Sequence, residues 1–380
     1  MLKTIFWICA LAALYSYFLY PLLLWALARR QSPTPATTPA EEALPFLSLI
    51  ITAYNEEARI EAKLANALAL DYPADRLEII VASDGSTDAT DRLVADHAEQ
   101  RVRLVRAEQR LGKENAQLCA IQQARGEVLV FSDVATEMPA DALHRLVRHF
   151  ASPGVGAVSS EDRFVSQDGT VAGEGLYVRY EMALRRLESR RAGLVGLSGS
   201  FFAARREICQ QWDIHSPSDF NTALNCARAG RRAVTAPDVL GYYRDLKDPS
   251  REYQRKVRTV LRGMTGLCRH ADVLNPTRFG WFALQVFSHK LMRWAVPWAL
   301  LGLLLTTAAL ADDSGWFRLL LLAQLAFYAL AVAAHVSPRV RQNSLARVVY
   351  FFVQVNLAIA HATLLFLRGR RMTVWEPSAR

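Results

Sequence analysis

Residues 78–90 read EIIVASDGSTDAT. Ile79 to Ala82 form a short apolar or small run that stops abruptly at Ser83-Asp84-Gly85-Ser86. A run of that length, closed by turn residues, fits a strand buried on both faces of a parallel sheet. It ends on a carboxylate, then a glycine, then the helix-starting residues Ser86, Thr87 and Asp88. Those residues suit a plain turn. They also suit a site that grips a polar ligand where a parallel sheet presents its carboxyl edge.

The pattern repeats outward from there. Strands are expected at 46–52, 77–83, 102–105, 127–132 and 155–159, and helices at 57–70, 87–100, 113–125 and 140–150. Strand–helix alternation implies crossover units: a doubly wound, mostly parallel α/β sheet with helices on both faces. Three strand ends carry polar groups, TAYNEE at 52–57, SDGSTD at 83–88 and FSDVAT at 131–136. One such end is explained by turn and capping preferences. Three on one edge crowd carboxylates that repel unless a ligand or cation lies between them. There is no G-x-G-x-x-G after a strand, and LGKEN lacks the spacing of a Walker-type loop.

The 380 residues are 52% hydrophobic, and the excess gathers in four blocks: Ile5–Ala28, Trp294–Ala311, Leu319–Val336 and Val348–Leu367. About 20 apolar residues cross a bilayer core, so each block is long enough to span. The first reads as a retained anchor rather than a cleaved leader. Arg29 and Arg30 follow it, and His289, Lys290 and Arg293 precede the second. By the positive-inside rule the central domain faces the cytosol. The tail RGRRMTVWEPSAR conflicts with that rule, because four full crossings place its arginines outside.

The expected organisation is an anchor over 1–30, a Pro/Thr-rich linker over 31–45, a central α/β domain over 46–270, an amphipathic interfacial helix over 271–293, three membrane segments over 294–367 and a basic tail over 368–380. The net charge of +9 comes with no recognised nucleic-acid module, so an anionic ligand or lipid surface is expected and a nucleic-acid partner is not. Five scattered cysteines give neither a disulfide framework nor a zinc site.

LSLIITAYNEE, LEIIVASDGSTDAT, GKENA and VLVFSD, followed by LSGSFFAARRE (197–207), SDF (218–220) and REYQRKVRTVLRG (251–263), resemble the family 2 glycosyltransferases. The flanking apolar blocks are similar to those of the branch that makes poly-N-acetylglucosamine, chitin and hyaluronan. The resemblance covers about residues 46–265 and implies a GT-A fold. It implies an inverting, membrane-bound enzyme of the cell inner membrane. That enzyme takes a cytosolic UDP-sugar to a glycan or lipid-linked acceptor, with polysaccharide-export partners. Alternatives are a polyprenyl-phosphate glycosyltransferase using GDP-mannose or another donor, and a degenerate nucleotide-binding scaffold of a secretion complex.

On this resemblance Tyr54, Asn55, Glu56, Asp84, Lys113 and Asp133 hold the nucleotide, and Asp133 also holds a divalent cation, Mg2+ or Mn2+. Asp219 is the general base. Ser198 and Gly199 lie under the acceptor, and Arg255 and Arg258 bind diphosphate. The sequence departs from the family at Ala135, where a second carboxylate is expected, at Ser218 before Asp219, and at Arg255 and Thr259, where Gln and Trp are expected. The lost Trp and the small number of spans imply short products.

Overall fold

The computed structural model describes residues 1–28, 44–165, 176–244 and 249–372. Arg29, Arg30, nearly all of the expected linker and the tail beyond Met372 lie outside them. The chain divides into two compact units: one of residues 1–23, 248–264 and 286–371, the other of 24–247, 265–285 and 372–380.

The second unit is an α/β domain with seven strands among the described residues: β1 (Leu47–Ala53), β2 (Leu77–Ser83), β3 (Val102–Arg106), β4 (Val128–Asp133), β5 (Val155–Val165), β6 (Phe201–Arg205) and β7 (Arg232–Arg244). They are ordered β3-β2-β1-β4-β6-β5-β7. β3, β2, β1 and β4 are mutually parallel, as are β5 and β7; β6 runs antiparallel to both neighbours. This is the expected mostly parallel α/β sheet.

Side-chain alternation splits the core between the two faces. Leu49, Ile51, Ile79, Val81, Val128 and Val130 meet helices Ile60–Leu68 (α2) and Ala142–His149 (α5). Ile50, Ile80, Leu129 and Phe131 meet helices Lys113–Gln123 (α4) and Ser218–Arg228 (α7). Every residue of β2 is buried, and its centre, Ile79–Ala82, reads as a continuous apolar or small run. This unit also contains the helices Thr90–Ala95 (α3) and Leu176–Arg191 (α6).

The other unit is built from long apolar helices. Among the described residues four helices are long and apolar enough to cross a membrane: α1 (Leu2–Ala28), α9 (Trp281–Ala309), α10 (Gly315–Val336) and α11 (Ser344–Leu367). A further helix, α8 (Pro249–Arg269), precedes α9.

The stretch 279–294 is not the separate interfacial helix expected from its amphipathic pattern. Gly280, at φ +51°, ends the short Pro276–Phe279 helix, and from Trp281 the chain runs unbroken into α9. No glycine or proline interrupts residues 281–296, and a π turn at Phe287–Leu291 absorbs His289 and Lys290 without a break.

Candidate active site

Parallel register puts the three polar strand ends side by side. Thr52 lies opposite both Ala82 and Asp133, and Ala53 opposite Ser83. Tyr54–Glu56, Asp84 and Asp133 therefore share one carboxyl edge. Asn55 takes a left-handed φ of 52°. Its amide donates to Ser86 Oγ at 3.2 Å, and its Oδ1 accepts from the Thr87 amide at 2.8 Å. The Glu56 amide donates to Thr90 Oγ1 at 2.8 Å, while its carboxylate pairs with Arg59. Asn55 and Glu56 thus clasp the loop after β1 to the one after β2.

Asp84 is only 1% exposed. Its carboxylate accepts from the Leu111 amide at 3.2 Å and from the Gly112 amide at 3.0 Å. Burial pushes its pKa above the ordinary value, against the pull of those two amides. Asp84 fixes the loop before α4, which Gly112 enters at φ +103°. On the same loop the Arg110 guanidinium covers the Tyr54 ring at 4.0 Å.

The second half of the site depends on β6. Because β6 is antiparallel, the loop before it arrives at the edge where β4 ends, and the Asp133 amide donates to the Ser200 carbonyl at 2.9 Å. Lys113, the first residue of α4, is buried, with Nζ 2.5 Å from Asp133 Oδ1 and 2.8 Å from the Gly199 carbonyl. Trp212 pins this helix start, donating from Nε1 to the Glu114 carbonyl at 3.0 Å. Beneath, Phe131 stacks on Phe202 and on Trp212 with centroids 4.8 and 5.1 Å apart. Asp219 lies in the first turn of α7, and that helix start has no side-chain cap. A Cβ placed on Gly199 would lie 3.5 Å from Asp219 Oδ2, so the carboxylate and the glycine face each other across a contact gap.

Ser198 and Ser200 turn away toward Asp162, whose carboxylate accepts from Ser198 Oγ at 2.7 Å and Ser200 Oγ at 2.8 Å. Burial pushes the Asp162 carboxyl up despite these bonds. Under the β4 end, Lys63 is buried and donates to Ser132 Oγ at 2.7 Å and the Thr136 carbonyl at 2.5 Å. Burial lowers its pKa to about 7, with Asp133 and Glu137 pulling the other way.

The structure therefore gathers Lys113, Asp133, Ser198, Gly199 and Asp219 into one cluster. The 110–113 loop joins it to the group of Tyr54, Asn55, Glu56 and Asp84. Arg255 and Arg258 lie on α8 in the other unit, one helical turn apart, and the Thr259 hydroxyl bonds back to the Arg255 carbonyl. Sequence reasoning passed over Arg110, Asp162 and Lys63. Only Lys63 carried a signal: a lysine between Ile60, Leu64 and Ala67 on the buried stripe of α2.

Among the described residues no three His, Cys, Asp or Glu side chains form a metal-holding group. Ala135 offers no oxygen, and Lys113 already takes one oxygen of Asp133. A quarter of the Asp133 side chain remains exposed. That donor set suits a single contact to a Mg2+ or Mn2+ whose other ligands are phosphate oxygens and water, not a resident metal held by the protein alone.

Residues 48–212 match the model of a family described as Glycosyl transferase family 2. Similar curated proteins include a beta-monoglucosyldiacylglycerol synthase of Synechocystis, 35% identical over 118 residues that cover 30% of this chain and 25% of that protein. A poly-beta-1,6-N-acetyl-D-glucosamine synthase of Staphylococcus epidermidis is 27% identical over 175 residues, 44% of this chain and 42% of that one. The chain thus spans less than half the length of these relatives. A solved mannosyltransferase from Pyrobaculum calidifontis, in complex with GDP-Man and Mn2+, superposes with a TM-score of 0.74 at 24% identity. It covers 98% of this chain and 100% of that one, a likeness of fold.

Proposed function

We propose, for a chain whose residues 48–212 belong to glycosyl transferase family 2, that the whole protein is a membrane-bound inverting glycosyltransferase. It moves a sugar from a cytosolic nucleotide sugar, a UDP-sugar, to a glycan or lipid-linked acceptor. The observation that carries this reading is the meeting of Lys113, Asp133, Gly199 and Asp219 at one sheet edge. A cation for the leaving diphosphate and a carboxylate for the acceptor proton stand on either side of one glycine.

In this mechanism Tyr54 and the loop held by Asp84 form the nucleotide wall. Lys113 donates to the diphosphate as negative charge develops on it. Asp219 takes the proton from the acceptor hydroxyl. The oxygen so freed bonds to the anomeric carbon as the bond from that carbon to phosphate oxygen breaks. The nucleoside diphosphate leaves, and configuration inverts because no second carboxylate acts as nucleophile. Gly199 leaves room for the acceptor beside Asp219, and Ser198 is held out of the way by Asp162. Asp133 would hold a divalent cation arriving with the nucleotide, and such a cation would supply Lewis-acid stabilisation of the diphosphate.

The test is a screen of nucleotide sugars with purified protein in lipid, reading UDP or GDP release. One donor should be consumed with acceptor present, and Asp219→Asn should cut that consumption by about 10²–10⁴-fold. Binding of every donor without turnover would leave a nucleotide-binding scaffold as the answer.

A further inference from the structure

We propose, resting on the reading of Asp133 given above, that Lys63 and Asn66 of α2 are positioning residues for Asp133. They bind the segment that follows β4, and so fix where the Asp133 carboxylate stands.

Asp133 is the last residue of β4, opposite Thr52 at the end of its ladder with β1. Residues 134–141 lie in no helix, and their one sheet contact is the single bridge from Glu137 to Tyr242. The position of Asp133 therefore depends on what this segment is tied to. Those ties run to α2. Lys63 Nζ donates to Ser132 Oγ at 2.7 Å and to the Thr136 carbonyl at 2.5 Å, one residue before Asp133 and three after it. The Thr136 amide returns to the Asp133 carbonyl at 3.1 Å and closes the turn. Three residues along α2, Asn66 exchanges two bonds with Met138. Its Nδ2 donates to the Met138 carbonyl at 2.8 Å, and its Oδ1 accepts from the Met138 amide at 3.0 Å. Just past the helix the Asp71 amide donates to the Ala140 carbonyl at 2.8 Å. Lys63, Asn66 and Asp71 thus meet residues 132–136, 138 and 140 in step, and the segment is splinted along α2.

Plain packing does not call for these side chains. Lys63 is 3% exposed, and its partners Ser132 and Thr136 are as deeply buried. An amine sealed from water is costly unless bonded, and its neighbours on the buried stripe, Ile60, Leu64 and Ala67, are all apolar. By alternation Ser132 faces α2 while Asp133 faces α4. Lys63 therefore works from the far side of the sheet and acts only through the turn. The same helix starts at the proposed nucleotide wall, where the Arg59 and Ile60 amides both donate to the Glu56 carbonyl at 2.9 Å. One rigid element so spaces the Tyr54–Glu56 loop from Asp133. Ala135, inside the splinted turn, offers no second carboxylate. A single acid must then meet the cation alone, and its placement matters the more.

The test compares full-length wild type, Lys63→Met and Asn66→Leu in lipid, so that one variant remains if the other does not fold. Without ligand, amide hydrogen exchange over residues 133–138 should rise in both variants, while β1 and β2 exchange at wild-type rates. With UDP as the probe in Mn2+, affinity should fall about tenfold, and that loss should shrink when Asp133 is already Ala. In turnover, donor KM should rise and acceptor KM stay unchanged. Wild-type exchange over 133–138, or losses that add in full to that of Asp133→Ala, would overturn the proposal. Faster exchange there with wild-type UDP affinity in Asp133→Ala would uphold the splint and fail the reading of Asp133 as a diphosphate-side contact.

Discussion

The Lys113 ammonium lies 2.5 Å from the Asp133 carboxylate and 2.8 Å from the Gly199 carbonyl, so one buried cation joins the end of β4 to the loop before β6. Its position ahead of Glu114, whose carbonyl Trp212 holds, leaves it little freedom. Replacement by Met should cost about 1.5–3 kcal/mol of transition-state binding, or one to two orders of magnitude in kcat/KM. Steady-state kinetics would show it, and Lys113→Arg should recover part of the loss. Equal kinetics for Lys113→Met would remove this residue from the diphosphate.

Asp219→Asn keeps the shape of the first turn of α7, and with no capping bond to lose it should leave stability unchanged. Transfer should fall by about 10²–10⁴-fold, the usual worth of a positioned general base. Calorimetric titration with nucleotide should give wild-type affinity. A variant that transfers at near wild-type rate would exclude Asp219 as the base.

Gly199→Ala places a methyl 3.5 Å from Asp219 Oδ2, an ordinary van der Waals distance, so the protein should fold normally. The methyl occupies the gap proposed for the acceptor hydroxyl. The expected outcome is a raised acceptor KM with donor KM unchanged, and an equal rise in both would place the acceptor elsewhere.

Asp133→Ala should weaken nucleotide binding and abolish any dependence of that binding on Mg2+ or Mn2+. Equilibrium binding with and without chelator measures both effects. Wild-type affinity that ignores the chelator would show that Asp133 touches no cation.

Lys63 predicts a pH dependence. Its folded pKa of about 7 lies below the ordinary 10.5. Between those values the unfolded chain holds a proton that the folded chain lacks, so stability rises with pH across the window. Below about 7 both forms are protonated, and this contribution is flat. Lys63→Met should abolish the rise in thermal inactivation midpoint. A slope that persists in Lys63→Met would assign it to another group.

The sheet was legible because buried parallel strands announce themselves. Ile79–Ala82 and Val128–Phe131 are apolar runs closed by turn residues, and their shared edge follows from alternation with helices. The expected strand at 77–83 coincides with β2. β6 was not anticipated as a strand: FFAAR alternates with no helix, and only pairing to β4 and β5 reveals its reversal. Asp162 was invisible for a related reason. It sits within β5, and its serine partners come from another segment 36 and 38 residues on. The backbone partners of Asp84 were not legible: besides the expected nucleotide contact, its carboxylate accepts from the Leu111 and Gly112 amides. An Asp-Gly turn cannot tell which neighbour will use the carboxylate.

The reversal of β6 also has an engineering consequence. The proposed nucleotide wall is drawn from segments leaving the sheet, whereas residues 197–200 enter it, so the two sides of the proposed site are independent pieces of chain. Grafting that entering loop from a homologue should exchange the recipient of the sugar while the source stays fixed. A chimera needs only to retain Gly199 and the two serines that anchor on Asp162.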